Sequence, residues 1–443
     1  MEQWRMELKQ FYGTMEFDGH SVQVALSAGL DQAGVAQFDF APLPPSALAG
    51  LIVERIRLPG FDTADFRLTA RAADGMELST DELFFNGYKE GPRDGELSLM
   101  ADYQRAFFRS DCEPRPLPQL RLLVLGLPFG RKLEARCALG HVQVDWLSRD
   151  RDKASTALSA SIQISPDAIP EDLAGWKAQA KKFLRYLRSV LSFATGAMLQ
   201  APLVEFEVDG KLEVEALPQS RQNISPMPPF SPSNLTSIFN RAVERYFSIE
   251  PLPANFDMAI EWFAMSSGYA EVNLIGAMTV LENLVSSNLS DTDTSIQSKK
   301  EFKRLKKKIE EAIKCHFSGD DNDSVDLQPE RQGMIREKLN DLNRKSLKEK
   351  VQLLASRWRV DMEGLNVAEI NAAKKARDMV VHQGVYLPAS GDDSELFSHA
   401  IVVRELVARF ILAALGYEGA HYSFLGGWNE RSTKLAPLAE DVA

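Results

Sequence analysis

Hydrophobic residues change period at one place in this chain, and that change confines it to two architectures joined in series. Up to about residue 217, short apolar runs such as Phe66-Arg-Leu-Thr, Leu120-Arg-Leu-Leu-Val-Leu and Leu203-Val-Glu-Phe-Glu-Val alternate or bunch as strands do, and turn-formers end them. Asp209-Gly210, between Val204-Glu-Phe-Glu-Val and Leu212-Glu-Val-Glu-Ala, is a hairpin signal. Leu51-Ile-Val reads as another short strand. One helical period interrupts, over 170–197, with Trp176, Phe183, Leu187 and Leu191 on its apolar stripe. Residues 218–234 then carry Pro218, Pro226, Pro228, Pro229 and Pro232, a composition that reads as a linker. Beyond it the period is 3.6, giving expected helices over 235–246, 256–265, 271–289, 298–316, 331–342, 347–358, 367–381 and 396–415. The expected fold class is therefore α+β and multidomain: an antiparallel β-rich domain with one helix over 1–217, a linker over 218–234, an all-α helical bundle over 235–418 and a tail over 419–443.

The length, 443 residues, suits two to three domains. With 51 Lys+Arg against 62 Asp+Glu the net charge is -11, which excludes a protein that coats nucleic acid over its whole surface. The charge is uneven, however. Residues 295–359 carry a surplus of six positive charges, concentrated in Lys299, Lys300, Lys303, Arg304, Lys306, Lys307 and Lys308. That run is either a solvated helix face or a track for phosphates. Three cysteines with no close pair make neither a disulfide framework nor a zinc knuckle, and point to a reducing cytoplasm. The charged start does not read as a signal peptide, and the most apolar long stretch, 400–415, is cut by Arg404, Glu405 and Arg409. A cytoplasmic protein with no membrane contact is expected.

One helix carries reactive groups at a meaningful spacing. Asn366-Val-Ala-Glu369 has the form of a capping box, and Gly384 is a natural C-cap, so the helix is bounded at both ends. Within it Arg377 and His382 are five apart. An imidazole can take a proton from a ribose 2′-OH or return one to the leaving 5′-oxygen, while a guanidinium clamps charge gathering on phosphorus. The bare spacing arises easily by chance. Arg136 and His141 share it, but lie among strand-like alternation with no marked helix to hold them. At about 100° per residue, positions five apart differ by roughly 140°, so one helix does not aim both side chains at one atom. Glu282 shares a helix face with Ile275, Met278 and Val285 and needs a partner, either Arg377 or a structural cation. The remaining histidines show no His-x3-His spacing, and no phosphate loop or Gly-x-Ser-x-Gly elbow is present, so no metal or cofactor is expected.

The segment Lys374-Lys375-Ala-Arg377-Asp378-x-x-x-His382-x-Gly384, near the end of an all-helical region, resembles the signature of HEPN domains, in which the Arg is followed by a polar residue, here Asp378. The upstream helix Leu274-Ile-Gly-Ala-Met-Thr-Val-Leu-Glu282-Asn-Leu-Val is similar to a helix with a central Glu in the Apea-like branch, which places a β-rich domain ahead of the bundle. The resemblance implies a metal-independent endoribonuclease of anti-phage defence, of the abortive-infection type. It would work as a homodimer, with His382 as general acid/base, Arg377 as clamp, Asp378 as polar support and a phage-derived trigger acting at the N-terminal domain. Lys374 and Lys375 would extend the basic run toward the RNA. Two alternatives stand beside it. The bundle could bind RNA, a nucleotide or a protein without cutting, or the N-terminal domain could be the functional core with the bundle as a dimerisation platform.

Overall fold

The computed structural model describes residues 7–44, 46–57, 66–90, 96–147, 156–218, 227–265, 269–317, 328–387 and 394–435. Residues 219–226 of the expected linker and 436–443 of the expected tail lie outside them. Two compact units emerge, Met1–Pro251 with Ala264–Ser266 and Gly419–Tyr422, and Leu252–Phe263 with Ser267–Glu418 and Ser423–Ala443.

The first unit is built on strands β1 (Lys9–Phe17), β2 (His20–Leu30), β3 (Ala36–Phe40), β4 (Phe66–Ala72), β5 (Glu77–Glu90), β6 (Leu97–Tyr103), β7 (Ala106–Asp111), β8 (Gln119–Leu125), β9 (Leu133–Cys137), β10 (Gly140–Trp146), β11 (Ala160–Ser165), β12 (Gln200–Val208) and β13 (Lys211–Ala216). They form one antiparallel sheet in the order β4-β1-β2-β3-β6-β5-β7-β13-β12-β8-β11-β10-β9. A further β4–β5 pairing closes the first six into a barrel, which leaves those strands without a free edge. Period-2 patterning drives the closure. In β4, Phe66, Leu68, Ala70 and Ala72 are buried and the residues between them exposed. Gly13 permits the close approach of β1 to β4, since a Cβ there would sit 2.1 Å from the Thr69 carbonyl oxygen. The expected hairpin is present: Asp209 and Gly210, with φ of 50° and 73°, turn β12 into β13, and Val208 pairs with Lys211.

Leu51-Ile-Val is not a strand. It belongs to helix α1 (Ala47–Arg57), because Ser46 Oγ accepts the Ala49 N–H at 3.1 Å and Ala49 and Ile52 recur at helical spacing on the buried side. Helix α2 (Leu173–Thr195) starts where the Asp172 side chain accepts the Gly175 N–H and stops at Gly196 in the left-handed region. The proline-rich segment does not separate the units. Phe230 N–H donates to Ala194 O at the end of α2 at 3.0 Å, and helix α3 (Leu235–Tyr246) packs back on α2, with Tyr186 Oη donating to Ala242 O and Phe183 against the Tyr246 and Phe247 rings. The division therefore falls at Pro251, after α3.

The second unit contains α4 (Phe256–Ala264), α5 (Ala270–Asn288), the single turn α6 (Asp291–Thr294), α7 (Lys299–Phe317), α8 (Gln328–Leu339), α9 (Leu347–Arg357), α10 (Val367–Gln383) and α11 (Ser394–Leu415). Helix α5 packs on α9, α10 and α11, and α10 on α11. The residues expected as a tail contain strands β14 (Gly419–Ser423) and β15 (Asn429–Thr433). Helix α11 is buried as its apolar run predicts, and two of the charges that interrupt the run, Glu405 and Arg409, pair with each other. Arg409 donates to Glu405 Oε1 at 2.6 Å and to the Asp361 and Glu363 carbonyls at 2.8 and 2.6 Å, while Glu405 Oε2 accepts the Phe424 N–H. Among the described residues no helix is long and apolar enough to cross a membrane.

Candidate functional site

Helix α10 is fixed at both ends by its own sequence. Asn366 accepts the Ala368 N–H at 2.9 Å, Glu369 answers to the Asn366 N–H at 3.2 Å, and Gly384, with φ of 76°, donates to Val380 O at 2.9 Å. Ile370, Ala373, Ala376 and Val380 form its buried stripe.

Four charges meet at this helix. Arg377 Nη2 is bonded to Glu282 of α5, and Arg377 Nη1 lies 3.1 Å from Asp378 Oδ1. The other Asp378 oxygen accepts from Lys374 Nζ at 2.8 Å, an i,i+4 pair on the same helix. Two cations and two carboxylates thus alternate in a chain that is locally neutral. The Arg377 side chain is 20% exposed, whereas Asp378 and Glu282 are 33% and 37% exposed. Glu282 thereby receives the partner its place on α5 demands.

His382 takes no part in these contacts. It is exposed in the last turn of α10, and among the described residues it makes no hydrogen bond or ion pair, so Asp378 contacts Arg377 and Lys374 and not the imidazole. Lys375 is exposed one turn before Asp378. The basic run Lys299, Lys300, Lys303, Arg304, Lys306, Lys307 and Lys308 lies on α7, which packs on α8, whereas α10 packs on α5, α9 and α11. Helix α7 has no fully buried residue within 299–315. Lys299, Lys306 and Lys307 lie 3.6 to 3.9 Å from Asp291, Glu310 and Glu311, a solvated arrangement of weak pairs. The structure therefore joins Lys374, Arg377, Asp378 and Glu282 by direct contacts, in which, among the described residues, neither His382 nor the α7 lysines take part.

A second cluster lies just past the motif. The Tyr386 ring meets His399 edge-on at 6.1 Å, and His399 Nε2 is 3.8 Å from Glu395 Oε1. Burial, then the Glu395 charge and hydrogen bond, push the Tyr386 hydroxyl up. Its only trace in the sequence is the i,i+4 spacing of Glu395 and His399. Near it Val381, Val385, Leu387 and Phe397 are large apolar side chains left 45 to 63% exposed. The decoy pair resolves as a strand feature: Arg136 and His141 face each other across the β9–β10 hairpin, and Arg136 pairs with Asp167 at 3.1 Å. Among the described residues no group of three or more His, Cys, Asp or Glu could hold a metal ion.

No family model, curated protein or solved structure matches this chain.

Proposed function

We propose that the chain is a HEPN-type endoribonuclease that acts as a homodimer in anti-phage defence and cuts RNA at Arg377 and His382 without a metal ion. The observation that carries this reading is Arg377: a guanidinium on a helix capped at both ends, paired with a carboxylate from a second helix, one and a half turns before an exposed imidazole. His382 takes the proton of the 2′-OH or returns one to the 5′-oxygen, and Arg377 stabilises the charge on phosphorus. The 2′-oxygen attacks, the 5′-oxygen leaves, and the products carry a 2′,3′-cyclic phosphate and a 5′-OH. Because one helix separates Arg377 and His382 by roughly 140°, the complete site draws on two copies, and Val381, Val385 and Leu387 supply apolar surface beside His382 for that contact. The α7 lysines add sequence-blind affinity for the RNA backbone, and the β-rich unit receives the trigger.

The test uses purified full-length protein and single-stranded RNA in EDTA. Arg377→Ala and His382→Ala are each expected to lower the cleavage rate by about 100-fold or more, and undiminished cleavage by either variant would sink the assignment. A second reading, a bundle that binds RNA without cutting it, is favoured by one observation, the Asp378 carboxylate within 3.1 Å of the clamp. Its signature is binding that weakens steeply with salt and yields no cleaved product.

A further inference from the structure

Both terminal nitrogens of Arg377 face carboxylates, Nη2 that of Glu282 and Nη1 that of Asp378. The guanidinium fork binds a carboxylate and a phosphate by the same planar geometry, so each of these oxygens stands where a phosphate oxygen would stand. The burial order matters too. At 20% exposed, the Arg377 side chain is less exposed than either carboxylate that holds it, Glu282 at 37% and Asp378 at 33%. Lys374, 43% exposed, is held by the second Asp378 oxygen at 2.8 Å, so its ammonium is already paired to that carboxylate. Glu282 belongs to α5 and not to the motif helix, and as a partly exposed side chain it can leave Arg377 by rotating about its own bonds.

From these contacts we infer that Glu282 and Asp378 form a carboxylate latch over an oxyanion site at Arg377, so that the free chain holds its phosphate clamp occupied and an RNA phosphate gains it only by displacing Glu282. This rests on the reading of Arg377 as a phosphate clamp. It gives Glu282 a sign opposite to that of a positioning residue. If Glu282 only orients Arg377, its removal weakens the site, whereas if it latches Arg377, its removal opens the site.

Binding is measured apart from cleavage with two probes, inorganic phosphate and a 2′-deoxy oligonucleotide that lacks the attacking hydroxyl. Glu282→Gln keeps shape and one acceptor oxygen while removing the charge, Asp378→Asn keeps shape but only one of the two acceptor oxygens that Arg377 and Lys374 use, and Glu271→Gln, on the same helix but outside the cluster, controls for bulk charge. The latch predicts that Glu282→Gln and Asp378→Asn each tighten both probes by about three- to tenfold, that Glu271→Gln does not, and that adding Arg377→Ala abolishes the gain. RNA cleavage should rise in the same variants. Unchanged or weaker binding in the folded variants, a gain that survives Arg377→Ala, or an equal gain in Glu271→Gln overturns the latch. Tighter binding through Arg377 with no RNA cut by any variant leaves the latch standing and removes the ribonuclease reading instead.

Discussion

Two arginines five apart on α11 show what a sequence conceals at single residues. Arg409 is 1% exposed and donates through Nε to Glu405 and through Nη1 to two backbone carbonyls, while among the described residues its buried Nη2 has no hydrogen-bond partner. Arg404 has its guanidinium 4.4 Å from the Phe263 ring centroid and 5.2 Å from that of Phe424, with a buried Nη2 that finds no hydrogen-bond partner among the described residues. Burial unrelieved by any carboxylate pushes its pKa down to about 10. A depressed base destabilises the fold while it is charged, so this cost is present in full at neutral pH and fades only as pH rises above about 10. Cation–π contact recovers part of it. Arg404→Met keeps the length and lies between the same rings, so the thermal midpoint is expected to stay level or rise, and a fall of more than about 1 kcal/mol in unfolding free energy would count against the argument. In the sequence both arginines are merely breaks in an apolar run. The site was more legible, because Arg377 and His382 announce themselves through spacing and two helix caps, but the choice of Arg377 as the partner of Glu282, 95 positions away, needed the packing of α10 on α5.

Helices in the second unit, the single turn α6 excepted, could be read almost to their ends, since each carries enough turns for the 3.6 period to outvote chance; strands could be located but their faces could not. The Glu residues of Val204-Glu-Phe-Glu-Val suggest a wet face by alternation alone. Instead β12 is buried on both faces, and Glu205 and Glu207 are 0% and 4% exposed. What makes this tolerable is register: Glu205 stands directly opposite Arg121 on β8, with Nε 2.8 Å from Oε2, and Arg115 reaches Glu207 at 2.7 Å. Leu51-Ile-Val failed for a related reason, being too short for either period to show while its capping residue, Ser46, lay upstream. The Arg121–Glu205 pair gives a prediction at this level. Arg121→Met leaves a carboxylate buried beside core leucines without its principal counter-charge and should cost about 3 to 5 kcal/mol in denaturant unfolding, whereas Arg121→Met with Glu205→Met should recover most of it. Equal losses in the single and double variants would show that the charges are not coupled.

Over the whole molecule, the two-part plan was visible because hydrophobic period is a property of long segments, while its boundary was not, because what draws α3 to the β-rich unit is the contact of Phe183 with Tyr246, residues 63 apart. Both parts nevertheless share one electrostatic habit, partly buried carboxylates held ionised by cations. In the first unit, burial would raise the Glu213 carboxyl, but hydrogen bonds from Lys177 and Arg109 and their charges outweigh it and hold the group below 4.5. In the second, burial works against Asp361 in the same way and is overcome by Arg431, the Glu363 N–H and Arg409, which hold it below 3.8. A carboxylate with a depressed folded pKa contributes stability that is complete above its unfolded value and is lost as pH falls through the folded value, where unfolding takes up protons. Thermal unfolding should therefore show a midpoint nearly level from pH 7 to about 5 and falling steeply below about 4. Asp361→Asn and Glu213→Gln should each lower the neutral plateau and flatten the acid limb, because the proton each site would have taken up is no longer counted. Variants that lose the plateau but keep the wild-type acid slope would show that these two carboxylates pack and do not titrate, and the source of the acid sensitivity would then lie in other groups.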